Sequence, residues 1–196
     1  MNTEIFAQLH LSSNDCKRLR DFLASELNIS QKYILRKMHI TVYYARRPLL
    51  GVYPTIEDAH IIIPASETRF MVMAPGGENP RNEIEPESNM IGIRVHRQSS
   101  AKDEILSLRR RLLPYETKRM LGSRKRSTEK TSAFGSRWFQ PHMVLLRPGH
   151  GLKNNLSQLG IPFRENIGNL FFDKFEIKLV HRDNMKGSFV NKIQHN

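Results

Sequence analysis

Along the chain, apolar and polar residues switch between a period of two and a period near 3.6, and the switches divide it into alternating strands and helices. Residues 4–12, EIFAQLHLS, read as a strand. Residues 12–28, SSNDCKRLRDFLASELN, follow as a helix with Ser12 or Ser13 as N-cap and Cys16, Leu19, Phe22, Leu23 and Leu27 on one face. MHITVYYA, AHIIIPAS, RFMVMAP and MIGIRVHR predict short strands by their β-branched and aromatic content and by the Pro, Gly and Asn between them. SSAKDEILSLRRRLL predicts the second main helix, with Ser100 and Asp103 as a capping pair and Ile105, Leu108 and Leu112 at helical spacing. The strand FQPHMVLLR, a short helix LKNNLSQLG ending on Gly160, and the strand FFDKFEIKLVHR complete the order.

At 196 residues the chain can bury one core of its own, so residues 1–196 are expected to form a single domain. Charge changes the picture. With 31 Lys and Arg against 19 Asp and Glu, the net charge of +12 suits polyanionic partners. Residues 101–131 carry ten Lys or Arg against four Asp or Glu, half of that net charge. Their later part lacks apolar periodicity and is rich in Ser, Gly and Thr, which predicts a basic mobile loop around 116–137. The single cysteine, Cys16, excludes an internal disulfide and a CxxC zinc site, and reads as a small buried apolar residue. No signal-peptide pattern opens the chain and no window approaches a membrane span, so a soluble, cytoplasmic, monomeric protein is expected.

The candidate chemistry lies in the histidines, of which there are 8. A bare His-x-Ser/Thr pattern is common, and His10-Leu11-Ser12 fits it, but Ser12 at a strand-to-helix junction is better explained as a cap. His39 and Thr41 lie inside a strand, where alternation puts His39, Thr41 and Tyr43 on one face and Ile40, Val42 and Tyr44 on the other. In WFQPHMVLL the same count groups Trp138, Gln140, His142 and Val144 against Met143 and Leu145. Each histidine thus stands on a strand whose reverse face is apolar. Each strand also follows its own β-α segment, which suggests two similar lobes whose histidines face one another. His96 and His181 are read as structural.

These stretches resemble the two-histidine (2H) phosphoesterase superfamily, which includes the 2′-5′ RNA ligase-like cyclic phosphodiesterases and is marked by two H-x-T/S motifs on facing strands. KMHITVYYA is similar to the first motif in full, and QPHMVLLRP to the second, with its proline before the histidine and Leu-Leu-Arg closing the strand. Val144 occupies the position of the second hydroxyl residue. The resemblance implies an α+β, bilobal fold: two β-α-β lobes with antiparallel sheets facing a central cleft.

The chemistry of such a pair stands on its own. Opening a 2′,3′-cyclic phosphate, or cleaving a phosphodiester at a ribose hydroxyl, needs a base for the nucleophilic oxygen and an acid for the leaving one. Two imidazoles with ordinary pKa values of about 6.5 can be neutral and protonated together near neutral pH. Thr41 would donate to a non-bridging phosphate oxygen. No cofactor is expected, and no HExxH-type metal cluster is present. Expected catalytic residues are His39, Thr41 and His142, and expected substrate contacts are Val144, Tyr43, Trp138, Gln140 and Arg147, with Arg182 a further phosphate contact. The expected function is a metal-independent phosphodiesterase acting on 2′-linked or 2′,3′-cyclic phosphates of RNA or oligonucleotides. Two alternatives stand beside it: degradation of cyclic oligonucleotide second messengers, and a 2H domain that binds RNA without turning it over.

Overall fold

A computed structural model describes residues 2–73, 89–115, 139–152 and 156–182. The basic segment around 116–137, Trp138 and the side chain of Arg182 lie outside the described residues. Among the described residues, seven strands run β1 (Asn2–Leu11), β2 (His39–Ala45), β3 (Thr55–Pro64), β4 (Thr68–Met73), β5 (Met90–Val95), β6 (His142–Leu146) and β7 (Asn169–Arg182). The described helices α1 (Ser13–Ser25), α2 (Ser100–Arg110) and α3 (Gly160–Ile167) contribute buried faces to the same core. Among the described residues no helix is long and apolar enough to cross a membrane.

The chain is mixed α and β, with every strand pairing antiparallel, as an α+β reading requires. The strands form one sheet in the order β3-β7-β1-β2-β6-β5-β4, so the two antiparallel sheets expected to face each other are joined edge to edge. The joint is narrow. β2 meets β6 through the single register pair Ile40↔Met143, and on either side of it stands a β-α-β unit, β1-α1-β2 and β5-α2-β6. β7 returns from the end of the order to lie beside β1.

Local chemistry explains the boundaries. Ser12 is the cap of α1: its Oγ accepts the Asp15 N–H at 3.2 Å. Asp15 in turn accepts the Phe171 N–H at 2.6 Å, while Ser12 donates its N–H to the Phe171 carbonyl at 2.8 Å, so the start of α1 is stitched to β7. At α2 the cap is Ser99 with extended backbone and no side-chain cap bond, so the expected Ser100–Asp103 box does not form. Gly160 begins a helix rather than ending one. Pro162 lies in the first turn, where its missing N–H costs no hydrogen bond, and Gly168 at φ 64° ends the helix instead.

Strict alternation fails at one place in β2. Ala7 pairs with Tyr43 and Gln8 with Thr41, so Val42 is an extra residue and the strand bulges there. Beyond the bulge the faces exchange, and Tyr43, expected beside His39, is turned into the core with 0% exposure. Tyr44 takes the outer face and donates its hydroxyl to Glu4 at 2.9 Å. The freed Val42 carbonyl accepts from Arg109 of α2 at 2.7 Å. Arg109 is only 2% exposed and its guanidinium lies 5.6 Å from the Tyr43 ring centroid and 4.6 Å from that of Phe139. β6 repeats the device. Gly92 pairs with Val144 and Ile91 with Leu146, leaving Leu145 as the extra residue, three positions after His142 just as Val42 is three after His39. Its carbonyl accepts the Leu35 N–H at 3.0 Å. Glycine is required at 92, because a Cβ there would stand 2.5 Å from the Met143 carbonyl oxygen.

Candidate active site

The core covers one face of the sheet, and the other face carries the candidate chemistry. Counting outward from Ile40↔Met143, antiparallel pairing sets Thr41 opposite His142 and His39 opposite Val144, all four on the face away from the core. His39 and His142 are therefore diagonal neighbours across the joint, about 7–8 Å apart at the backbone.

Extending the register across the sheet gives two rows of side chains. One runs Arg69, Arg94, His142, Thr41, Gln8 and Glu176, and the other Lys174, His10, His39, Val144, Gly92 and Met71. Read in these directions the rows correspond position by position: a cation, a second cation-forming residue, the motif histidine, then the hydroxyl position that is filled only in the first row. A half-turn about the joint exchanges them. They diverge beyond that position, where Gln8 and Glu176 of the first row stand against Gly92 and Met71 of the second.

His39 sits among polar neighbours. Its Nε2 lies 2.9 Å from Gln8 Nε2, and its ring lies 5.7 Å from that of His10, which bonds Glu176 Oε2 at 2.9 Å. Burial lowers the His39 pKa from 6.5 to about 4, and charge on His10, Lys178 and His142 pushes the same way while Glu176 opposes it. His39 is thus neutral near pH 7, and its Nε2 accepts from the Gln8 amide. At His142 the geometry is set through Nδ1, 2.9 Å from the Gln140 carbonyl. A carbonyl only accepts, so Nδ1 carries the proton in that contact and Nε2 is the ring atom on the opposite side.

Of the expected contacts, His39, Thr41, His142 and Val144 are brought together. Tyr43 is not, because the bulge buries it. Gln140 acts through its backbone on His142, while its side-chain amide donates to the Val95 carbonyl at 3.3 Å. Arg147 is exposed just past the end of β6, five residues from His142 and roughly 15 Å along an extended chain. His96 accepts from Arg69 Nε at 3.0 Å, and His181 bonds Thr3 at 2.9 Å, so both have structural partners. Gln8, Glu176 and Arg94 have no signal within their own strands, and His10 stands beside Ser12 in a pattern that the helix cap explains. Alternation along β1 groups Gln8 with His10, but only strand register places them against Thr41 and His39. Among the described residues no three His, Cys, Asp or Glu side chains are arranged to hold a metal ion.

The half-buried, neutral His39 links stability to pH. Its pKa is about 4 when folded and 6.5 when unfolded, so as the pH falls the unfolded chain takes up this proton first. The contribution is complete above about pH 6.5 and is lost as the pH falls to about 4, on the order of 3 kcal/mol in all. Urea unfolding at pH 7 and pH 4.5 should show wild type losing more stability than His39→Asn. Equal losses would remove the linkage.

Comparison of the whole chain with family models, with curated proteins and with solved structures gives no match to any of them.

Proposed function

We propose that the chain is a phosphodiesterase of the two-histidine kind, acting on 2′-linked or 2′,3′-cyclic phosphates of RNA or oligonucleotides without a metal or other cofactor. The observation that carries this reading is the half-turn correspondence of the two rows, with His39 and His142 at matched positions across the joint. The two β-α-β units are the counterparts of the two lobes of the 2H fold, here sharing one sheet.

His39, neutral near pH 7, is the base, and its Nε2 exchanges the Gln8 amide for the attacking water. For a 2′,3′-cyclic phosphate it takes a proton from water as the oxygen attacks phosphorus. His142, protonated at Nε2, gives its proton to the departing ribose oxygen as the other P–O bond breaks, leaving a phosphate monoester. Solvent exchange restores both rings. Thr41 donates to a non-bridging oxygen from beside His142. Val144 cannot, and Arg94, paired across from His142, supplies the second contact. Among the described residues no acceptor holds the Arg94 guanidinium in place.

The experiment incubates the purified protein with 2′,3′-cyclic mononucleotides, 2′-5′ and 3′-5′ linked oligonucleotides and cyclic oligonucleotides, read by mass spectrometry. Turnover is expected, unaffected by excess chelator. Because kcat/KM reports the free enzyme, its acid limb should fall near the His39 value of about 4 rather than at 6.5. Binding without turnover across the panel would replace this reading with that of an RNA-binding domain, which the missing second hydroxyl favours. A limb at 6.5 would take the role of base away from His39.

A further inference from the structure

Beyond the second row, where β1 ends and β2 begins, the strand ends open into a cleft of about 450 Å³ between α1, the segment before β2, and β7. That volume lies within the range of sites that take a drug-sized ligand, and a nucleotide unit belongs to that class. His10 is shared: on one side its ring lies 5.7 Å from that of His39, and on the other it lines the cleft. The walls carry Lys17, Arg20, Arg36, Lys37 and Lys174 against two acids, Asp173 and Glu176. Glu176 is already engaged by His10 at 2.9 Å and Lys178 at 3.6 Å. Among the described residues none of the five cations is paired with a carboxylate. Arg20 gives one N–H to Gln31 Oε1 at 2.7 Å, while its Nε is buried with no partner. A buried donor left unpaired is costly, and five unpaired cations around one cleft raise the local potential for an anion. Ile56, 71% exposed at the rim, offers an apolar surface to a base.

We infer that this cleft is a second anion subsite, holding a phosphate one nucleotide away from the linkage that lies between His39 and His142. The inference rests on the phosphodiesterase reading and narrows it: the substrate is an oligonucleotide with a further phosphate, not a cyclic mononucleotide. No bond is made or broken in the cleft; it contributes affinity and register.

The test uses the His142→Ala protein, in which the altered side chain does not line the cleft, and three probes: a dinucleoside monophosphate bare, with a 5′-phosphate, and with a 3′-phosphate. One phosphorylated form is expected to bind ~10-fold to ~100-fold tighter than the bare form, the range for a charge-assisted contact, and to identify the end that enters the cleft. Adding Arg36→Gln and Lys37→Gln should bring the three affinities within about threefold of each other, with the thermal unfolding midpoint unchanged. Equal affinities before those substitutions, or a preference that survives them, would overturn the subsite. The same probes given to wild type separate the two ideas. Cleavage without phosphate preference removes the subsite and leaves the histidine pair, whereas preference without cleavage removes the pair and leaves the subsite.

Discussion

Alanine at either His39 or His142 is expected to lower turnover about a thousandfold, and alanine at both is expected to be hardly worse than at either. General acid or base catalysis contributes typically ~10²- to ~10⁴-fold per group, and each group is useful only while the other acts on the same phosphate. The geometry suits the coupling: the two histidines are diagonal neighbours across the β2–β6 joint, on the same face of the sheet. Single-turnover rates of the wild type, both single variants and the double variant complete the cycle. Strictly multiplicative losses would mean the histidines serve separate steps, and the paired mechanism would be gone. Circular dichroism and melting curves separate loss of chemistry from loss of fold, a needed control because His39 is half-buried and bonded to Gln8.

The second large effect concerns the phosphate clamp. Thr41→Val is expected to lower kcat at least roughly tenfold, and Arg94→Gln to lower kcat/KM by ~10- to ~100-fold, since a hydrogen bond to a charged oxygen contributes about 1.5–3 kcal/mol. The informative measurement is Val144→Thr made with and without Arg94→Gln. If Arg94 stands in for the absent hydroxyl, the threonine should recover part of the loss in the Arg94→Gln protein and gain less in wild type. Stability should change little, because Val144 is only half-buried on the outer face and valine and threonine are close in shape. A lower rate for Val144→Thr in both backgrounds would make the valine a substrate contact and end its assignment to the clamp.

Much of this arrangement is legible in the sequence, and the rest has a physical reason for being hidden. Strands and helices follow the apolar period because each buries one side. Alternation placed His39 with Thr41 and His142 with Val144 correctly, each pair being local to one strand. Tyr43 defeats the same rule because Val42 bulges, and the bulge is held by Arg109, 67 positions away in sequence. Its signal, a buried cation in a helix, does not appear until the helix is docked. Gln8, His10 and Arg94 enter the site through register between strands, which no single strand specifies. Whether two sheets face or join depends likewise on the one pair Ile40↔Met143. Gly160 and Gly168 both suit a helix end, and Pro162, acceptable only near a helix start, decides between them.

The return of β7 to β1 also fixes the order in which the protein can mature as it is synthesised. Both histidine motifs have emerged by residue 146, yet β1 still lacks the neighbour that covers the edge opposite β2. That neighbour brings Glu176, which binds His10, together with Lys178, which helps keep His39 neutral, and the Phe171 amide that anchors the start of α1. A nascent chain halted before Asn169 therefore carries every motif and no finished site. Its open β1 edge is the place where such an intermediate would pair with other chains, so release of residues 169–182 from the ribosome is the event that both completes the candidate site and covers that edge.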